Sequence, residues 1–242
     1  MFSNSIVRRY AVFLCGVATT GFSISLITKA GLGTPPISSL PYVLCEIFSF
    51  SFGTFTFVFN LALIFGQQLL LKKEFTPAQY LQIPVTLLFS CVIDLVMFLL
   101  SGLTVEAYRC RISWRVAISR LLSGLTVEAY PARIALLLAG CVTLGFGIAL
   151  QVVAEAIYIP GEGLVRAIAA KLKKEFGIIK TVFDSGMVTM AVILSLACCQ
   201  AVVGFREGTI IAALIVGSIV RFFIHRLQPV REWCRASRLE QA

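Results

Sequence analysis

Long apolar runs separated by short polar segments dominate the chain. Six runs are long enough for a helix that crosses a bilayer, which needs about 20 mostly apolar residues. The six predicted spans are 10–28, 52–71, 80–101, 134–154, 178–203 and 208–225. Two shorter apolar stretches, 37–50 and 163–176, follow the first and fourth spans and are too short to cross. This pattern predicts an all-α membrane protein with six transmembrane helices and two short re-entrant or interfacial helices.

The composition agrees with this pattern and excludes an ordinary soluble enzyme. Apolar residues make up 58% of the chain and charged residues 14%, and the mean hydropathy is +0.92. An average soluble domain has about 25% charged residues. The net charge of +9 comes mostly from Lys and Arg between the apolar runs and near the C-terminus, so no nucleic-acid partner is expected.

The basic residues predict the orientation of the chain in the bilayer. A cytoplasmic N-terminus places segment 166–174 and the tail on the basic, cytoplasmic side, and the C-terminus with them. The loop between the third and fourth spans is an exception, because it places four arginines outside. This loop contains a tandem duplication, since LLSGLTVEAY occurs at 99–108 and again at 121–130. We interpret the insert as tolerated because it falls in a loop.

An older repeat relates the two halves of the chain at an offset of 124 residues. The offset aligns Pro36 with Pro160 and Gly53 with Gly177, and such matches are not explained by apolar composition. Each half contains three predicted spans, an odd number, so we expect the halves to be inverted relative to each other. Inverted repeats with discontinuous helices are typical of secondary transporters. The predicted division is 1–101 for the first repeat, 102–132 for the loop, 133–227 for the second repeat and 228–242 for the basic tail.

Polar and ionisable side chains within the spans are candidates for function, because they are costly in lipid and face a bundle interior or a cavity. Lys180 and Asp184 lie four residues apart on one helix face, which suits either a structural ion pair or a coupled solute site. Asn60 is the partner of Asp184 at the offset of 124 residues. Asp94 is a further candidate, in the third span.

Pro and Gly interrupt the chain before both short helices. The motif PGEG at 160–163 precedes the second short helix, and TPP at 34–36 is its counterpart. If these helices are re-entrant, their N-termini provide a site for an anionic group. Glu162 would compete with an anion there, unless it is protonated or binds a cation instead. The alternative is two capped interfacial helices with nothing bound.

Two further features concern the ends and the packing of the spans. Arg206 and Glu207 precede the last span, as either a solvated turn or an extracellular gate. Small residues at equivalent places in both halves predict close helix packing. They are Gly16, Gly21 and Ser23 in the first half and Gly140, Gly145 and Gly147 in the second.

No catalytic pattern emerges from the sequence. The only histidine is His225, the cysteines lack metal-ligand spacing, and there is no phosphate-binding P-loop. We therefore expect neither an enzyme nor a metal site nor a cofactor.

Several segments together carry a resemblance to a known family. They are LGTPPISSLPYVL (32–44), FGTFTFVFN (52–60), the Asp94-bearing third span, PGEGL (160–164), FGIIKTVFD (176–184) and REGTIIAALIVGSIVRFF (206–223). Over nearly the whole chain, apart from the insert and the tail, the sequence resembles the YczE/YyaS/YitT-like bacterial integral membrane proteins. The resemblance implies a multi-pass protein of the bacterial plasma membrane and brings no established substrate or reaction.

The favoured hypothesis is a secondary transporter or carrier of a small solute, coupled to H⁺ or Na⁺. The alternative is a non-transporting membrane protein that regulates or binds a partner, including a subunit of a multi-component transporter. In that case a cytoplasmic or membrane protein would dock on the basic short helix and tail. The candidate substrate-binding residues are Asp184, Lys180, Glu162, Asn60, Asp94, Arg206 and Glu207.

Overall fold

The computed structural model describes residues 4–48, 50–100 and 130–235, and the regular elements in these ranges are all helical. The first half contains α1 (Asn4–Lys29), α2 (Ser39–Ile47), α3 (Phe52–Leu71) and α4 (Gln82–Leu99). The second half contains α5 (Tyr130–Ala154), α6 (Pro160–Leu172), α7 (Phe176–Cys199), α8 (Glu207–Arg226) and α9 (Gln228–Arg235). Short 3₁₀ turns occupy Pro36–Ser38, Lys72–Glu74 and Pro77–Leu81. The predicted insert lies outside the described residues as far as residue 129.

Six of these helices are long and apolar enough to cross a membrane, which confirms the six predicted spans. They are α1, α3, α4 with the turn before it, α5, α7 and α8. Helix α3 has the predicted ends, whereas α7 ends at Cys199 rather than at residue 203. The reason is local, because Gln200 has a φ of 51° and this left-handed conformation terminates the helix.

Both short helical segments begin and end earlier than the sequence predicted. The first begins at Pro36 with a 3₁₀ turn that continues into α2, and α6 begins at Pro160 rather than at residue 163. The PGEG motif is therefore the first turn of α6, not the segment before it. Proline fits the first position of a helix because its missing N–H would have no partner there. The predicted tail also contains a helix, α9, which the sequence analysis did not predict.

Helices α1 and α5 form the centre of the bundle and run antiparallel. A Cβ built at Gly16 would lie 2.8 Å from the carbonyl oxygen of Gly147 and 2.7 Å from Cγ of Gln151. A Cβ built at Gly140 would lie 2.6 Å from Cγ1 of Ile27. These close approaches confirm the predicted packing through small residues.

The contacts between α1 and α5 are reciprocal at the offset of 124 residues. Position 16 meets positions 147 and 151, whereas position 140 meets positions 23 and 27. Adding 124 to the residue numbers of one contact gives those of the other. The two sets of contacts are thus related by the same offset as the aligned sequence positions.

The other helices surround this central pair. Helix α4 packs on α1 and α3, and α8 packs on α5. Helix α6 packs on α3, while α2 packs on α7, so each short helix contacts the long helix of the opposite half. Helix α9 crosses the ends of α1 and α5.

Candidate functional site

The two short helical segments meet inside the bundle, at what we call the junction: Ile37, Ser38, Gly161 and Glu162 together with the adjoining face of α3. A Cβ built at Gly161 would collide with Cδ1 of Ile37 and would lie 4.0 Å from Cδ1 of Leu63. Leu63 lies about 16 Å along α3, a helix about 30 Å long. The junction is therefore near half the length of this long helix.

The two segments reach the junction from opposite ends of α3. Near the start of α3, the ring of Phe52 packs edge-to-face against the ring of Tyr42 of α2, and the two ring centroids are 5.6 Å apart. Near the end of α3, the amide of Gln67 donates a hydrogen bond of 2.8 Å to the carbonyl of Pro160. Gln67 and Gln82 also exchange hydrogen bonds of 3.2 and 3.3 Å, so this end of α3 is held by a fully buried amide pair.

Three backbone N–H groups at the junction lack an acceptor among the described residues. They belong to Ile37, Gly161 and Glu162, in the first turns of their helices, where no preceding turn supplies a carbonyl. The next N–H groups are paired, since Ser38 donates to Pro35 at 2.9 Å and Gly163 donates to Ile159 at 2.8 Å. The unpaired donors are thus concentrated where the segments meet.

Two buried polar side chains accompany these N–H groups. Ser38 and Asn60 are each only 6% exposed, and neither side chain hydrogen-bonds to any residue that the structure describes. Ser38 is adjacent to Ile37, and Asn60 lies one helical turn before Leu63 on the buried face of α3. Neither residue is among the described side chains with a fully buried, unpaired polar atom, so the hydroxyl of Ser38 and the amide of Asn60 keep some accessible surface.

Glu162, one of the candidate residues from the sequence, lies at the junction. It is half-buried in the first turn of α6, and its carboxylate forms no ion pair within the described ranges. Arg166, one turn further on, instead stacks over Tyr158 at 4.1 Å and over Phe176 at 5.2 Å. Glu162 is therefore the acidic side chain closest in sequence to the unpaired N–H groups.

Lys180 and Asp184 form an ion pair of 2.8 Å along α7, with 30% and 25% of their side chains exposed. This geometry corresponds to the structural ion pair considered above. No hydrogen bond or ion pair within the described part of the chain joins Asp184 to Asn60. Asn60 thus lies on α3, the long helix of the junction, whereas its offset partner Asp184 lies on α7.

Asp94 of α4 lies beside the start of α3, away from the junction near the middle of that helix. Its carboxylate accepts hydrogen bonds from the hydroxyl of Ser51 at 2.6 Å and from the backbone nitrogen of Gly53 at 2.7 Å. Ser51 also accepts a hydrogen bond from the nitrogen of Thr54 at 3.1 Å. These bonds cap the start of α3 and fasten it to α4.

Arg206 and Glu207 lie where α8 begins. The guanidinium of Arg206 donates a hydrogen bond of 2.9 Å to the carbonyl of Gly31, and the nitrogen of Gly208 donates one of 2.8 Å to the carbonyl of Leu32. Glu207 is exposed in the first turn of α8. The loop before α8 is thus bound to the loop after α1, and neither predicted residue reaches the junction.

Gly161 belongs to the predicted PGEG motif, but Ile37, Gly161 and Ser38 were not among the candidate substrate-binding residues. A signal for two of them was present, because Ile37 and Gly161 are themselves 124 positions apart and so are offset partners. Their contact therefore joins two positions that the sequence offset aligns. No group of His, Cys, Asp and Glu in the described ranges is arranged to hold a metal ion.

These features define a helical membrane protein with two short helical segments that meet inside the bundle. Residues 7–225 match the model of the Family of unknown function (DUF6198), and the chain belongs to that family. No curated protein and no solved structure matches the chain.

Proposed function

We propose that the protein is a secondary carrier that moves a small solute across the bacterial plasma membrane, coupled to H⁺ or Na⁺. The observation that carries this proposal is the meeting of Ile37 and Gly161 near half the length of α3. In a membrane, irregular backbone is tolerated only where protein or a cavity surrounds it. Secondary transporters use such interrupted helices to build their solute sites near the bilayer midplane.

In this proposal, α1–α4 and α5–α8 are inverted repeats, and each contains a re-entrant short helix. The antiparallel packing of α1 on α5 and the reciprocal contacts of Gly16 and Gly140 support a two-fold axis that lies in the membrane plane. The basic end of α6 and the tail then share the cytoplasmic side with both termini.

A difference between the halves supports alternating access. Gly53 of α3 packs against Ser90 and Asp94 of α4, so that a Cβ there would lie 2.5 Å from Cγ of Asp94. The equivalent positions on α7 and α8 are Gly177 and Ser218, and a Cβ at Gly177 would have no atom within 4 Å. Because inverted repeats place these two positions at opposite faces, the carrier is closed at one face and open at the other.

Uptake into proteoliposomes tests the proposal. The purified protein is reconstituted and given a mixture of small solutes under an inward H⁺ or Na⁺ gradient, and accumulated solutes are identified by mass spectrometry. We expect at least one solute to accumulate, and Gly161→Leu to abolish its uptake because the side chain fills the junction. Gly186→Leu is the matched control, because no atom lies within 4 Å of a Cβ built there.

A folded protein that moves no solute under either gradient would contradict the carrier. Uptake that Gly161→Leu leaves unchanged would retain the carrier and reject the junction as its solute site. A partner-binding protein is the second candidate, because Arg166, Lys173 and Lys174 line a surface cavity beside Phe176. A stoichiometric partner that is lost when Lys171, Lys173 and Lys174 are replaced, without any solute uptake, would favour that function.

A further inference from the structure

We propose that the junction binds the anionic group of a small solute, a carboxylate or phosphate-type oxyanion. The ligand oxygens accept hydrogen bonds from the backbone N–H groups of Ile37, Gly161 and Glu162, from the hydroxyl of Ser38 and from the amide of Asn60. This inference rests on the proposed function only in taking the bound anion to be part of the carried solute.

The backbone supplies the first reason. Backbone N–H groups inside proteins are almost always paired. At the junction those of Gly161, which is buried, and of Ile37 and Glu162, which are partly buried, have no acceptor among the described residues. All three belong to helix first turns, which carry partial positive charge and bind anions. A cation would meet only donors from this backbone, whereas an oxyanion offers several lone pairs in one small group.

The side chains supply a second and independent reason. Ser38 and Asn60 are each more than nine-tenths buried and have no partner within the described ranges. The same region pairs its other buried amides, as the reciprocal bonds of Gln67 and Gln82 show. The hydroxyl of Ser38 and the amide of Asn60 are thus two donors that the described part of the bundle leaves without an acceptor.

The charged side chains near the junction allow an experiment to distinguish the binding of an anion from that of a cation. Lys180 is held by Asp184 at 2.8 Å, and Arg166 is stacked between two aromatic rings, so neither guanidinium nor ammonium supplies the anion's countercharge. Glu162 adds a negative charge in the same helical turn as two of the N–H groups. Removing that charge strengthens the binding of an anion and weakens the binding of a cation.

Ligand binding to the purified full-length protein tests the inference. The probes are inorganic phosphate, acetate and benzoate, with acetamide, benzamide and methylammonium as neutral and cationic counterparts, and Kd is measured by calorimetry and by thermal shift. We expect at least one oxyanion to bind and its amide counterpart not to bind. Ser38→Ala and Asn60→Ala each remove one donor and are expected to weaken binding about 5- to 10-fold.

Two further variants complete the experiment. Glu162→Gln is expected to tighten oxyanion binding about 3- to 10-fold, because it removes a nearby like charge. Ser90→Ala is the matched control, since Ser90 is 4% exposed and its hydroxyl is also unpaired, but it lies beside Gly53 and away from the junction. Its Kd is expected to be unchanged.

Three results would overturn the inference: no oxyanion binds better than its amide, both donor variants bind as the native protein does, or Glu162→Gln weakens binding. If Ser38→Ala or Asn60→Ala fails to fold, the other donor variant and Glu162→Gln still test anion binding, with Ser90→Ala as the control. Oxyanion binding without uptake retains the site and rejects the carrier. Uptake restricted to neutral or cationic solutes retains the carrier and rejects the anion site.

Discussion

The backbone nitrogen of Gly53 donates a hydrogen bond of 2.7 Å to the carboxylate of Asp94, and this bond joins the first turn of α3 to α4. The residues at the equivalent positions of the second half are Gly177 and Ser218, and no hydrogen bond among the described residues joins them. An acid is thus present where α3 and α4 pack together. In the second half, Ser218 of α8 stands at the corresponding position, and a Cβ built at Gly177 of α7 would meet no atom within 4 Å.

Cysteine cross-linking tests whether α7 can move onto α8. In a chain otherwise free of cysteine, we expect the pair Gly177→Cys and Ser218→Cys to form little disulfide alone and more when a transported solute is added. The pair Ser51→Cys and Asp94→Cys should cross-link without solute, because these two side chains already lie within 2.6 Å of each other. Mass spectrometry of the linked peptides measures both, and solute-independent cross-linking at 177 and 218 would contradict the movement.

Asp94→Asn is expected to lower the free energy of unfolding by about 1–3 kcal/mol, because the amide cannot accept hydrogen bonds from both Ser51 and Gly53 with the strength of a carboxylate. Denaturant titration in detergent followed by circular dichroism measures the change. Asp184→Asn is the comparison, since its ion pair with Lys180 is partly exposed and is worth about 0–1 kcal/mol. Equal losses in the two variants would show that Asp94 does not fasten α3.

Gly16→Ala is expected to destabilise the bundle by about 1–3 kcal/mol, because the new methyl group would overlap the backbone of α5. Gly217→Ala meets no atom within 4 Å and replaces a helical glycine, so we expect it to be neutral or stabilising by up to about 1 kcal/mol. The melting temperature of each variant, compared with that of the unchanged protein, measures these effects. A tolerated Gly16→Ala would contradict the close approach of α1 and α5.

The hydrophobic pattern was sufficient to predict the six long helices, because span length and composition are properties of each segment alone. It could not place the ends of the short helices. Pro160 was interpreted as a residue before α6 rather than its first residue, since proline both breaks a preceding helix and suits the first position of the next. Helix α9 was missed because eight residues give too little periodicity for a prediction.

The candidate site was predicted less completely, because it depends on contacts between distant segments. Charge in an apolar run identified Asp94, yet only the structure shows that its carboxylate caps α3. Glu162 and Asn60 were predicted from charge and from the repeat, and both lie at or beside the junction. Ser38 lies at the start of α2, where a serine commonly caps a helix, and only the structure shows that its side chain makes no capping hydrogen bond.

Thiol reactivity tests the docking of α9. Cys234 is 2% exposed, and burial raises the pKa of its thiol, although the charges of Arg9 and Arg8 oppose the shift. In a variant that keeps only this cysteine, maleimide labelling at neutral pH should be slow and should accelerate as the pH rises toward the raised pKa, since the thiolate reacts.

Trp233→Ala should make that labelling faster at neutral pH, because it removes the ring on which the guanidinium of Arg8 stacks at 4.7 Å. Arg231→Ala should have the same effect through loss of its 2.6 Å ion pair with Glu155. Labelling of the denatured protein provides the rate for a free thiol. Fast labelling of the undisturbed chain would show that α9 is not docked.

If the two halves are the inverted repeats proposed above, the contact between Ile37 and Gly161 joins two equivalent positions on the axis between them. A homodimer of a single half would place two copies of one side chain on its axis, so that two isoleucines would clash and two glycines would leave a hole. Joining both halves in one gene removes that constraint, and the large residue on one side fits against the missing side chain on the other. Under the proposed repeat, neither position tolerates the residue of the other, because Gly161→Ile would collide with Ile37 and Ile37→Gly would leave a gap beside Gly161.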